Sequence, residues 1–159
     1  MSRVQHLMRD MDTDAALITS PINRRYYTGF HSSAGTLVLT RGESVLIIDS
    51  RYHEAATKQA GVDRVVLQDS NLYKHVAEIL SKNGAGTLGV ESGTMTLSAF
   101  ATWQSKLLAI PEAAHVELVA DDKLTELIAS HRAAKTAGEL ACIREAQRIT
   151  DMTFAHIVD

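Results

Sequence analysis

Cysteine is almost absent from this chain. Cys142 stands alone, which excludes an intramolecular disulfide and a zinc site built on several cysteines. No apolar run approaches the roughly 20 residues that cross a bilayer as a helix. The opening stretch "MSRVQHLMRDMD" mixes charges with isolated apolar residues and holds no hydrophobic segment of the secretory kind. Neither sign of charge dominates: 16 Lys and Arg against 19 Asp and Glu give a formal net charge of −3. That balance supplies no field for nucleic acid or anionic lipid, so neither partner is expected. Internal repeats and low-complexity linkers are missing too. The expectation is a cytoplasmic protein with no membrane and no nucleic-acid partner.

What is present is a chain of 159 residues, 45% of them apolar, enough for one domain with a real core. "AALIT" (Ala15 to Thr19), "TLVLT" (Thr36 to Thr40) and "SVLIID" (Ser44 to Asp49) read as strands. Only "RGE" separates the second from the third, so those two should pair antiparallel. "RVVLQD", "TLGVES" and "HVELV" add three more strands, separated by helical patterns. One helix is expected over "RYHEAATKQA". A second covers "SNLYKHVAEILSKNG", with Ser70 as N-cap and Gly84 as its stop. A third, "TLSAFATWQSKLLAI", sets Leu97, Phe100, Trp103 and Leu107 on one face before Pro111. Strands alternating with helices imply an α/β fold, with a mixed sheet of about six strands covered on both faces.

The last segment has another character. "TAGE" (Thr136 to Glu139) matches a capping box, and a helix runs on from it to the end. Leu140, Ile143, Ile149, Met152, Phe154, Ile157 and Val158 spread over more than one stripe, the pattern of a helix with more than one neighbour. No glycine, asparagine or proline stops it, so the chain is expected to be cut inside something larger.

Three short motifs invite chemistry and fail on context. "GAGTLG" (Gly84 to Gly89) has dinucleotide-loop spacing, but a helix precedes it and a strand follows, the reverse of what a phosphate needs. "DMDTDA" (Asp10 to Ala15) starts like a calcium loop, yet Ala15 and Pro21 stand where glycine and glutamate are required. The seven histidines form no pair spaced to hold a metal from one helix face, and "HSSAG" lacks the elbow of a serine nucleophile. No catalytic and no metal residue is assigned to this chain.

"NRRYYTGFHSSAG" (Asn23 to Gly35) gathers aromatics that are otherwise scarce, at 5% of the chain. It is too rich in Gly and Ser for a helix interior and reads as a glycine-flanked loop. With "LIIDSRY" and "HRAAKTAGELACIREAQ" following in order, nearly the whole chain resembles the N-terminal half of the creatinase/prolidase/aminopeptidase P family. The residues that carry the likeness are Asn23, Tyr26 or Tyr27, Thr28, Gly29 and Phe30; then Asp49, Arg51 and Tyr52; then Arg132, Lys135, Glu139, Ile143, Arg144 and Ala146.

The resemblance implies a ribonuclease H-like three-layer N-terminal domain over 1–132. Residues 133–159 would be the linker and first helix of a truncated C-terminal pita-bread peptidase domain. It implies a parent Xaa-Pro dipeptidase or aminopeptidase acting on proline-containing peptides. Two divalent ions (Mn, Co or Zn) would lie in the C-terminal catalytic domain, which is the expected intramolecular partner, and none in this part. It also implies a homodimer in which this domain overlies a substrate entrance. Phe30 and His31 are expected to project there, with Arg51 and Tyr52 either lining the same mouth or capping the sheet edge. Packing of Tyr26, Tyr27 and Phe30 under a short helix remains the alternative for the aromatics. A creatinase-like amidinohydrolase half and a stand-alone interaction module are the other functional readings.

Overall fold

The computed structural model describes residues 2–158. Its contacts separate two compact units, one up to Ile128 and one from Ala129 onward.

The first unit is built on a six-stranded sheet. Strands β1 (Ala15–Ile18), β2 (Thr36–Thr40), β3 (Ser44–Ile48), β4 (Arg64–Leu67), β5 (Thr87–Val90) and β6 (Glu117–Val119) lie in the order β4-β3-β2-β1-β5-β6. β2 runs antiparallel to both neighbours, with Val38 opposite Val45 across the Arg41–Glu43 turn. The β3–β4, β1–β5 and β5–β6 pairs are parallel; β3–β4 and β5–β6 are joined by the helical crossovers that parallel neighbours need. Every residue of β1, β2 and β3 is buried, and all but Thr36, Thr40 and Ser44 at the strand ends are apolar.

Side chains alternate between two cores. Ala15, Leu17, Val38, Val45, Ile47, Leu88 and Val90 face Val76, Ile79 and Leu80 of α4 (Leu72–Lys82) and Trp103 and Leu107 of α5 (Leu97–Leu108). Ala16, Ile18, Leu37, Leu39, Leu46 and Ile48 face the other layer. That layer brings Leu7 from α1 (Arg3–Asp10), Tyr27 from α2 (Pro21–Thr28), Ala56 from α3 (Ser50–Gln59), and Leu124 and Ile128 from α6, which begins at Lys123. The mixed α/β sheet covered on both faces is thus present.

Three helices depart from the sequence reading. α1 opens on a capping box between Ser2 and Gln5. α6 extends over Lys123–Ala133. α2 takes in Asn23 to Thr28, so half of the expected aromatic loop is helix; Pro21 starts it and Gly29, at φ 69°, ends it. Two details of the expected helices also change. Asn71, not Ser70, is the N-cap of α4. Leu97, in the first turn of α5, is 89% exposed, so the buried stripe begins a turn later. Gly84 does close α4, at φ 62°, with the Ala85 amide bonded back to the Leu80 carbonyl.

In the second unit, α7 (Ala137–Val158) opens on the expected capping box. The Thr136 amide and hydroxyl donate to Glu139, and the Glu139 amide donates to Thr136 Oγ1. No residue of α7 is buried.

At the edge of the sheet where β1, β3 and β5 begin, carboxylates hold neighbouring segments together. Asp14 Oδ2 accepts from the Gly86 and Thr87 amides, and Asp63 Oδ2 from the Ser44 amide and hydroxyl. Glu43, at the hairpin tip, accepts from Asn83 at 3.0 Å, Lys82 at 3.2 Å and Arg64 at 3.3 Å. Desolvation pushes the Glu43 carboxyl up, but the bonds from Asn83 and Lys82 and the Arg64 charge outweigh it and hold it below its ordinary value. Asp63 is lowered by the Ser44 hydroxyl and then its amide, and Asp14 by the Thr87 hydroxyl and then the Gly86 amide. A lowered native pKa contributes stability that is complete above the unfolded value, near ~4, and is lost as pH falls through the native one. Denaturant midpoints should therefore drop progressively below about pH 4. Glu43→Ala should cost about 2 kcal/mol at neutral pH and make that acid loss shallower. Equal pH slopes in the variant and the parent would show that Glu43 is not among the groups responsible.

Candidate functional site

In open α/β sheets, ligands bind beyond the carboxyl ends of the parallel strands, where connections diverge to either side. In this sheet that point lies between β1 and β5: the chain leaves β1 toward β2 on one side, and β5 toward β6 on the other. Because β2 runs the opposite way, the segment that feeds it arrives at the same edge. Four segments converge there: Thr19–Ser20, Gly29–Gly35, the start of α3 at Asp49, and Glu91 after β5.

The hub of this edge is Glu91, only 1% exposed. Its Oε2 accepts from the Thr19 amide at 2.7 Å and the Ser20 amide at 2.9 Å, and its Oε1 from Asn23 Nδ2 at 2.7 Å. Arg24, next along α2, is 3% exposed. It donates from Nη1 to the Thr19 carbonyl at 2.6 Å and from Nη2 to the Ser32 carbonyl at 3.1 Å. Burial pulls the Arg24 pKa down, and the Glu91 charge opposes that pull. Gly35, at φ 124°, passes close by; a Cβ there would stand 3.2 Å from the Ile47 carbonyl oxygen and 3.6 Å from Arg24 Nε.

Three of the four residues singled out from the sequence come together beside this hub. The Phe30 and Tyr52 rings meet edge to face, 6.4 Å between centroids, and the Arg51 guanidinium lies 5.3 Å from the Tyr52 ring centre. Asp49 caps α3 through the Arg51 amide and pairs with the Arg51 side chain at 2.7 Å. Tyr52 Oη and Ser33 Oγ are 3.0 Å apart, and this bond, with the Ser33 backbone, holds the phenol below its ordinary pKa. His31 is exposed on the same segment as Ser33.

The expected projection of Phe30 is corrected. Phe30 is 8% exposed and belongs to the core under α2 and α3. Gly29 turns the chain inward, and the Phe30 amide is held by Thr28 Oγ1, which itself donates to the Arg24 carbonyl. The tyrosines follow the packing alternative. Tyr27 is buried, while Tyr26 stacks edge-on against it at 5.0 Å and lies under the Arg3 guanidinium.

Sequence reasoning missed Glu91, Asn23 and Arg24 as parts of this edge. The one available signal was a carboxylate directly ending the apolar run of β5. Elsewhere, a cavity of about 740 Å³ sits at the opposite edge among Gln5, Met8, Arg41, Gly42 and Asp63, remote from Tyr52 and Arg51. Among the described residues no three His, Cys, Asp or Glu side chains gather as a set that could hold a metal ion. No helix among them is long and apolar enough to cross a membrane.

The mixed six-stranded sheet with helices on both faces is the α/β architecture anticipated from the sequence. The chain belongs to the Creatinase/Prolidase N-terminal domain family, whose model matches residues 1–133. It is 29% identical over 158 residues to the uncharacterized peptidase YqhT of Bacillus subtilis (strain 168), covering 99% of this chain and 42% of that protein. The Xaa-Pro dipeptidase from Bacillus anthracis superposes with a TM-score of 0.81 at 29% identity, over 98% of this chain and 41% of that one. The N-terminal domain of cytoplasmic peptidase PepQ from Mycobacterium tuberculosis H37Rv aligns at 29% identity and a TM-score of 0.63, covering 79% of this chain and 94% of that domain. The chain thus spans about two fifths of the length of its two longer relatives.

Burial makes a direct statement about Phe30. Phe30→Ala should lower unfolding free energy by about 3 kcal/mol, the range for truncating a core phenylalanine. Urea denaturation measures it; a loss under about 0.5 kcal/mol, typical of surface positions, would place the ring outside the core.

Proposed function

We propose that this chain is the non-catalytic N-terminal domain of a metal-dependent Xaa-Pro dipeptidase or aminopeptidase, and that its β1/β5 edge forms part of the substrate entrance. One observation carries the reading. The chain aligns over 98% of its length with an Xaa-Pro dipeptidase of which it spans only 41%. Residues 1–132 form the domain proper, and 133–159 the linker and first helix of the catalytic domain. Hydrolysis of the Xaa-Pro bond, with its two divalent ions, Mn, Co or Zn, belongs to that further domain. The cytoplasm is the compartment this reading assigns, in line with the description of the PepQ relative.

The edge contributes recognition. His31 and the exposed Arg51 offer donors to the carbonyl and carboxylate groups of a proline-containing peptide. The half-buried face of Tyr52 suits a pyrrolidine ring. Phe30 serves from beneath, by fixing the Tyr52 ring.

Two measurements on this chain test the domain assignment. Incubated with Mn²⁺, Co²⁺ or Zn²⁺ and freed of excess ion, it should hold less than one equivalent of metal and cleave no Xaa-Pro peptide. Stoichiometric metal with turnover would overturn the assignment. In the protein that carries the catalytic domain, His31→Ala or Arg51→Ala should raise KM for an Xaa-Pro dipeptide about tenfold, the scale of one lost charge-assisted hydrogen bond. An unchanged KM in both variants would remove this edge from the substrate path.

The same reading includes a dimer of this chain held partly by α7, distinct from the homodimer that the family resemblance implies for the longer protein. Ile149 (53% exposed), Met152 (60%), Phe154 (68%) and Ile157 (75%) leave a broad apolar surface on α7. Such surface favours burial at roughly 25 cal/mol per Å². Light scattering should give a dimer for this chain and a monomer for a version ending at Lys135. Monomers in both samples would show that α7 needs no partner.

A further inference from the structure

The segment Gly29–Gly35 carries His31 and Ser33, yet it contains two glycines and lies between α2 and β2 without regular structure of its own. Side chains hold it from three sides. Thr28 Oγ1 accepts from the Phe30 amide at 3.1 Å, Tyr52 Oη meets Ser33 Oγ at 3.0 Å, and Arg24 Nη2 reaches the Ser32 carbonyl at 3.1 Å. The Phe30 ring packs one end of the segment onto the core, and the Arg24 bond ties its middle, at Ser32, to the exit of β1. The other terminal nitrogen of Arg24 holds the Thr19 carbonyl, while the Thr19 amide is held by Glu91. Both polar groups of one peptide residue at the exit of β1 are thus taken by buried charges, and one of those charges also grips the segment ahead of β2.

We infer that Arg24 is a positioning residue: its two-pronged guanidinium clasps the Thr19 and Ser32 carbonyls together and so fixes the attitude in which His31 and Ser33 are presented at the β1/β5 edge. The clasp needs the fork of arginine. A lysine keeps the charge that faces Glu91, but its single ammonium cannot reproduce two divergent bonds in fixed directions. Glu91 and Asn23 retain their own contacts in such a variant, so the fold and the clasp can be separated. The importance of the clasp to peptide recognition rests on the function proposed above; the clasp itself does not.

The test is Arg24→Lys in this chain, read by NMR. In the parent, the amides of Phe30 to Ser33 should show order parameters near the rigid value of about 0.85, and in the variant below about 0.6. Amides of β1 and β5 should keep their values. The Tyr52 phenol should titrate higher in Arg24→Lys, where the Ser33 hydroxyl that lowers it is no longer held in place, as it should in Ser33→Ala, where that hydroxyl is removed. Unchanged order in the segment overturns the inference. So does a variant that loosens β1 and β5 equally or fails to fold, since Arg24 is then a general fold residue. The parent alone supplies an independent check: the Arg24 terminal N–H protons should be resolved and slow to exchange, with an Overhauser contact to Ser32 or Ser33. A freely rotating, rapidly exchanging guanidinium overturns the inference without any variant. Ala-Pro added to the parent separates the two readings: a rigid segment with a His31 resonance that does not move supports the clasp and refutes recognition alone.

Discussion

A carboxylate buried where two parallel strands part company is the constraint on which the rest of this domain is arranged. Removing a charged carboxylate from water costs several kcal/mol unless its oxygens are satisfied. Glu91 meets that condition with two backbone amides, the Asn23 amide and the nearby charge of Arg24. Each partner then becomes a fixed point. Thr19 and Ser20 set the direction in which the chain leaves β1, Asn23 sets the rotation of α2, and that rotation delivers Arg24 to the Ser32 carbonyl. From Ser32 the order passes to Ser33, Tyr52 and the ring of Phe30.

The carboxylates at the other edge work differently. Asp14, Glu43 and Asp63 also accept amide and side-chain protons, but they remain in partial contact with water and each joins only two or three neighbouring segments. Asp14 reaches 72 to 73 positions along the chain to Gly86 and Thr87, as far as any bond of Glu91, and Glu43 reaches 40 to Asn83. What sets Glu91 apart is burial: at 1% exposed, it has no water to replace a lost partner.

Much of the sheet was legible because it is covered on both faces. "AALI", "TLVLT" and "SVLII" are apolar except at Thr36, Thr40 and Ser44 at the strand ends, as doubly buried strands should be, and "RGE" leaves room only for a hairpin. The capping box of α7 is a local signal and was read as such. Helix α2 escaped because eight residues offer little more than two turns of periodicity, and its apolar side chains include the outward Ile22. Pro21 and Gly29 did mark its ends, but the serines and glycine that follow suggested one continuous loop. Phe30 was misplaced for the same reason: its burial follows from the left-handed turn at Gly29, a conformation that residue type permits but does not announce. Glu91 and Arg24 were invisible as a network because nothing within reach along the chain distinguishes a buried glutamate from a solvated one.

The bonds from Glu91 to Thr19, Ser20 and Asn23 bridge 68 to 72 positions along the chain. The β2–β3 hairpin, by contrast, closes across three residues. During synthesis, therefore, the hairpin and the helices on either side of it can exist while the exit of β1 still lacks its acceptor. The amides of Thr19 and Ser20 and the side chain of Asn23 must stay hydrated until residue 91 has emerged and β5 has docked beside β1. Long closures of this kind are entered late because their entropy is spent before any contact rewards it. The edge that carries Tyr52, Arg51 and His31 is thus completed by the arrival of β5, although none of those three residues belongs to it. A nascent domain has its scaffold before it has its face.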